Sequence, residues 1–404
     1  MSPRRPRLLR PALAVATAAV LGVTAAVAFD VVPGASAANS APLAATATHG
    51  HEQAATSEAT QEAKAGASTA APTTEHSTAH SEKTASTATS KAATKAATSK
   101  AAATTDAPIH VMKMPKGKWI NVDKKAWAAQ LADFRTTQPR KVKAGAKMNP
   151  EFNATCSYSH SGKNDPIVFP NQTGASHLHS FYGNKITKAN TTVDDLMKFT
   201  ATTCVPKKDH SSYWVPSLTN KATGKKVQPN MLIAYYGSLL DDKNKKKTVP
   251  MPNGMRMIYG DASKQVKTPA GSRDAFYCSG GPLEGKARST DGNWPVCGDG
   301  GTVHFMMRFP DCWDGKHLDS PDHKSHVSYG SQGDCPKAFP VRIPAMTFSI
   351  YYPTHGSKAG YSLSSGMASS MHADAFVAWD VKTMNDRVKS CVRQLVTCAS
   401  DGKF

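Results

Sequence analysis

From about Met148 onward the chain reads as a mainly β domain: an antiparallel sandwich or jelly-roll with long loops, a few helices and disulfide bonds. Three observations predict it. Short runs rich in branched and aromatic residues recur at 230–237 (NMLIAYYG), 255–260, 301–309 and 346–352. Clusters of Gly, Pro, Asn and Asp, such as 250–254 and 280–285, separate them, without the regular strand–helix alternation of a doubly wound sheet. All eight cysteines (156, 204, 278, 297, 312, 335, 391 and 398) lie here, an even count with no CxxC pair, which reads as disulfides rather than a zinc ribbon.

Residues 1–37 have the make-up of a secretory signal. Arg4, Arg5, Arg7 and Arg10 precede an Ala-rich apolar run at 12–29, and Ala35-Ser36-Ala37 supplies small residues for cleavage. The expectation is a secreted, extracellular or wall-associated protein with no transmembrane segment once the signal is removed. Residues 38–107 are Ala, Thr, Ser and Lys with almost no aromatic or branched aliphatic side chains. Such a spacer cannot bury enough apolar surface to offset its ordering entropy and is expected to lack fixed structure. Its histidines, 49, 51, 76 and 80, are too scattered to form a metal site.

A helical lead-in spans 108–147. Asp123 is a fair N-cap for a helix whose Trp127, Leu131 and Phe134 share one face. The domain proper, 148–404, carries a short helix predicted at 193–199 behind Thr192. A second helix is predicted near the end, where Val388, Cys391, Val392, Leu395 and Val396 recur at amphipathic spacing. Cys278–Cys297 and Cys312–Cys335 are expected as local loop closures, leaving Cys156–Cys204 and Cys391–Cys398. The last pair requires the late helix to end before Cys398, because residues seven apart on one helix are about 10 Å apart.

The formal net charge is +19, much of it in Lys-rich stretches such as 243–247 and the spacer. A basic exported chain fits an anionic wall polymer or acidic polysaccharide as partner. Nucleic acid is not expected, since no nucleic-acid motif accompanies the charge. A monomer is expected. GxSxG, HExxH, P-loop and GxGxxG signatures do not occur, and Glu151 and Glu284 are the domain's only glutamates, so paired-carboxylate chemistry would fall to aspartates.

The strand at 301–309 alternates Val303, Phe305, Met307 and Phe309 with His304, Met306 and Arg308, and Pro310 ends it. The loop that follows holds Asp311, Cys312, Trp313, Asp314, His317, Asp319, Asp322, His323 and His326. Two further clusters are GASHLH (174–179) with FYGN (181–184), and HADAFVAWD (372–380). In an extended backbone His177 and His179 share a face, as do His372 and Asp374. With MRMIYGD (255–261), RFPDCWDG (308–315), LDSPDHKSHV (318–327) and LSSG (363–366), these motifs resemble, in order, a secreted family of fungi and Gram-positive bacteria. That family is catalogued as domain of unknown function nineteen-ninety-six. The resemblance implies secretion and a single disulfide-bonded domain rich in His and Asp; it implies no activity.

The three His/Asp motifs are expected to converge on one site lined by His177, His179, Asp319, His323, His326, His372 and Asp374. Asp322, Asp374, His372 and His323 are the candidate acid–base residues. His177, His179, Asp319, His326 and the loop aromatic Trp313 are the candidate binding residues, Trp313 and Trp294 being expected as exposed contacts. A divalent metal on His177 and His179 is the candidate cofactor, with a metal-free polar pocket preferred. Binding of a wall or extracellular polysaccharide leads the functional readings; a polysaccharide hydrolase or lyase and a structural wall protein are the alternatives.

Overall fold

A computed structural model describes residues 114–290 and 293–404. The signal, the spacer and the first residues of the lead-in lie outside the described residues. The longest strand, β1 (Glu151–Gly162), buries Phe152, Ala154 and Cys156 and turns Glu151, Asn153 and Thr155 outward, the period-two pattern of a half-buried strand. The other main strands are β2 (His179–Gly183), β3 (Ser212–Pro216), β4 (Met231–Gly237), β5 (Arg256–Gly260), β6 (Tyr277–Ser279), β7 (Thr302–Arg308), β8 (Ala345–Tyr352) and β9 (His372–Phe376).

These strands follow one path, β6-β7-β8-β4-β1-β2-β3-β9-β5, with every neighbouring pair antiparallel. Residues 152–157 of β1 pair with β4, and residues 158–162 pair with β2. An irregularity between Tyr158 and His160 marks the handover, the kind of bulge that sharpens local twist. The sheet curls into a half-barrel, and the fold is mainly β and antiparallel, as expected.

The curl encloses Phe152, Tyr236 and Trp379 at one end of the core, with Phe276, Phe305 and Tyr352 at the other. Burying an aromatic or aliphatic side chain of this size stabilises by about 1.5–3 kcal/mol. Strands β2, β3 and β9 are buried along their whole length, because sheet and covering loops close over both faces. That burial matters for the site, which is built on their ends.

The helix predicted behind Asp123 runs Lys124–Thr136, with the Asp123 side chain accepting from Lys125 N and Ala126 N. It buries Phe134 in the core and sets Trp127 edge-on against Trp313. The helix Val193–Lys198 has a full capping box between Thr192 and Asp195.

Four disulfides form, with the expected pairs Cys156–Cys204, Cys278–Cys297, Cys312–Cys335 and Cys391–Cys398. The late helix is shorter than its periodicity implies. Val381–Arg387 is α-helical and Val388–Val392 widens to a π-turn. Leu395 then takes a positive φ of 61°, so Cys398 returns on the strand Thr397–Cys398 with its Cα 5.7 Å from that of Cys391. Among the described residues no helix is long and apolar enough to cross a membrane. Four disulfides are the chemistry of an oxidising compartment.

Candidate active site at the ends of β2 and β9

Strand register assembles the site. His179 on β2 lies opposite Pro216 on β3, and Asp374 on β9 lies opposite Trp214 on β3. Two residues back along β9, His372 is therefore level with Pro216 from the other side. Their rings meet, with the Nε2 atoms 3.4 Å apart. His177, just before β2, brings its own Nε2 to 3.1 Å from that of His372. Three imidazoles thus converge nitrogen to nitrogen, within 4.8 Å of one another.

Their outer nitrogens fix the tautomers of two of them. His179 Nδ1 is 3.0 Å from the Asn164 carbonyl, and His372 Nδ1 is 2.9 Å from the Ser370 carbonyl. A carbonyl only accepts, so each Nδ1 carries the hydrogen. Burial pushes all three rings toward the neutral form. Desolvation, then the His372 ring, takes His177 down to about 3; desolvation takes His372 to about 4. Desolvation, with help from both neighbours, holds His179 well below the usual range. In the neutral rings Nε2 of His179 and of His372 are then bare lone pairs that face each other.

Behind the imidazoles is a small cavity lined by His177, His372, Asp374, Asp165 and Met114. Asp374 is buried and neither carboxyl oxygen has a hydrogen-bond partner. Desolvation, reinforced by the charge of Asp165, holds its carboxyl well above the usual range. Burial likewise raises Asp165 to about 6, although its Oδ1 accepts from Ile167 N and Val168 N.

His323 and Asp319 form an adjoining group. The His323 Nδ1–H donates to both Asp319 oxygens at 2.9 and 3.1 Å, and Arg256 approaches the same carboxylate at 3.6 Å. His326 Nε2–H donates to the Arg256 carbonyl at 2.7 Å, and its Nδ1 meets the Ser320 hydroxyl. Asp165 feels the charges of both His323 and Arg256, which links this group to the cavity.

The structure therefore brings His177, His179, His372 and Asp374 together, with Asp319, His323 and His326 as a neighbouring cluster. Asp322 is exposed and joins this neighbouring cluster through Ser320 Oγ, from which it accepts; it also accepts from Lys324 N and Ser325 N. Burial opposes its charge, but these bonds outweigh that and hold its carboxyl below the usual range. The expectation of Trp313 as an exposed contact is overturned. It is fully buried, packed edge-on to Trp127, with its Nε1–H donating to the His317 carbonyl.

Sequence reasoning missed Asp165 and Arg256. An aspartate directly before Pro166 and the apolar Ile167, Val168 and Phe169 was the available signal for the first. Arg256, at the head of a predicted strand, gave none.

His177 is also part of the wall of a larger groove of about 830 Å³. Its other lining includes Trp294, Tyr361, Lys163, Lys221 and Lys267, and among the described lining residues there is no Asp or Glu.

The family model described as Domain of unknown function (DUF1996) matches residues 165–379, more than half of the chain. The chain belongs to this family. The DUF1996 match begins at Asp165 and ends at Trp379, so it takes in every imidazole and carboxylate of the site. Comparison with curated proteins and with solved structures found no match.

Proposed function

We propose that the chain is an extracellular protein that draws an anionic polysaccharide into the groove and hydrolyses it at the His177 end. One observation carries this reading: His177 lines both the open groove and the buried His/Asp cavity. A polymer lying along the groove would pass the one imidazole of the cluster that is only partly buried. Lys163 and Lys267, with no Asp or Glu among the described lining residues, favour a polymer bearing carboxylates or phosphates. Trp294, packed at 5.2 Å against Tyr361, offers an amphipathic face of the kind that stacks on sugar rings. Asp165, with its carboxyl near 6, is matched to proton transfer at neutral pH. A buried carboxyl with neither oxygen partnered, as at Asp374 in the adjoining cavity, is costly as structure, which favours a catalytic use.

The test is product release from a panel of acidic and neutral wall and plant polysaccharides. New reducing ends from acidic members are expected, with activity falling as salt rises. His177→Gln should lower kcat by about 100-fold or more. Trp294→Ala should raise KM about tenfold at similar kcat, the loss of roughly 1.4 kcal/mol of stacking. Retention on the polymers without product from any of them would leave a binding module and end the hydrolytic reading. Unsaturated ends that absorb in the ultraviolet would make the protein a lyase.

A further inference from the structure

We infer that His177, His179 and His372 form a mononuclear site for a divalent transition metal of the zinc and copper class. The first support is metric. Nitrogens at about 2.0–2.1 Å from a tetrahedral zinc ion lie about 3.3 Å from one another. Here the Nε2 separations that converge on His372 are 3.1 and 3.4 Å. Two of the three separations thus match the spacing that a shared ion imposes, and all three ligand atoms lie within 4.8 Å of one another.

The second support is the proton count. With Nδ1–H of His179 and His372 committed to carbonyls, those two rings have no hydrogen to place between their Nε2 atoms. His177 can donate one hydrogen to His372, which leaves the His179 lone pair turned toward a nitrogen that is already accepting. A cation at the centre converts these opposed lone pairs into ligands. The backbone carbonyls then act as outer partners that orient each ring and raise its basicity, the usual arrangement around metal-bound histidine.

The donor set selects the ion. Three neutral imidazoles suit zinc or copper; calcium and magnesium require oxygen ligands. Three protein ligands rather than four also leave a position for water, the pattern of catalytic rather than structural zinc sites. Asp374 lies outside the ligand cluster but lines the same cavity with both oxygens unpartnered. The grouping of Cys156, Cys204 and Asp209 offers no comparable site, because its sulfurs are joined in a disulfide. The metal inference stands on the ring nitrogens and holds whether or not the groove is catalytic.

The test uses the full exported chain, stripped with a chelator and titrated with Zn2+ alone. Because the spacer histidines can bind metal weakly, it is run in parallel on a variant with His49, His51, His76 and His80 changed to Ala. One equivalent of zinc and a rise in Tm are expected in both. His177→Ala, at the partly buried ligand, should keep the apo Tm but weaken zinc binding at least 100-fold. His372→Gln provides a second ligand variant should His177→Ala fold poorly. Cobalt loading should give the intense visible absorption of a four- or five-coordinate ion. Sub-stoichiometric zinc with no Tm shift, or zinc binding unchanged in both ligand variants, would overturn the inference. A protein that takes one zinc but releases no product would keep the metal centre and end only the hydrolytic reading.

Discussion

In the loop after β7 the imidazoles have partners of their own. His317 bonds to Asp314, His323 to Asp319, and His326 to the Arg256 carbonyl and Ser320. At the ends of β2 and β9 the histidines instead turn their Nε2 atoms on one another. Both groups hold three histidines, and the loop has the more aspartates. The difference lies in what the ring nitrogens meet. Carboxylates and carbonyls around the loop histidines complete a scaffold, whereas lone pairs directed at lone pairs leave a place for something else. Only His323 Nε2 departs from the loop pattern, being buried and unpartnered beneath Gly117, where an added Cβ would stand 2.8 Å from the ring.

The largest way to break this contrast is Asp319→Ala. It strips the carboxylate from a buried His323 and from Arg256, and should cost about 3–5 kcal/mol in urea unfolding, as loss of one partner of a buried pair does. A loss under about 1 kcal/mol would mean that the loop cluster is not a scaffold. Next comes the Cys312→Ser/Cys335→Ser double variant. It opens a loop spanning 23 residues and should cost about 3 kcal/mol, with zinc binding retained if the protein is still folded at the assay temperature.

Asp165→Asn should act in the opposite direction. The folded carboxyl sits near 6, above the ordinary 3.8, so the folded state holds a proton that the unfolded chain releases from about pH 4 upward. Its contribution to stability is therefore present below about pH 4 and is lost as pH rises toward 6. Asparagine, which still accepts from Ile167 and Val168, removes that loss. The variant should be about 2–3 kcal/mol more stable than the parent at pH 7 without metal, with the gap closing at pH 4. Chemical denaturation at the two pH values measures it. Equal stability at both would show that this carboxyl carries no burden for function. The smallest effect belongs to Asp322→Ala. It removes turn bonds to Lys324 N and Ser325 N, costs about 1 kcal/mol, and should leave product release and zinc affinity unchanged.

What the sequence disclosed was largely local. Runs such as MLIAYYG and AMTFSIYY announce strands, and the Thr192 cap sits three residues before Asp195. The HxH pair was readable because period-two spacing puts both rings on one face. β3 was hidden, because SYWVP is buried on both sides and shows no apolar–polar alternation. That His372 would share a site with His179 was expected from the motifs, but not that it would join His177 and His179 nitrogen to nitrogen. His179 and His372 lie 193 residues apart, and only the order β2-β3-β9 brings them to the same level. Trp313 misled because its neighbours in sequence are polar, while its neighbours in space are Trp127 and the core.

The place of β9 in the sheet carries a further consequence, for the order in which the chain is made. β9 lies between β3 and β5, although both of those strands are complete more than 110 residues before it ends. Until residue 376 has been synthesised, β3 and β5 each hold an open edge of unpaired N–H and C=O groups, a template for joining other chains. Insertion of β9 covers the edge of β3 and one side of β5, and delivers His372 in the same event. A chain cut short before β9 is then exposed to aggregation and lacks His372, and a chain that can carry the third imidazole has already paired β3 and joined β5 to the sheet.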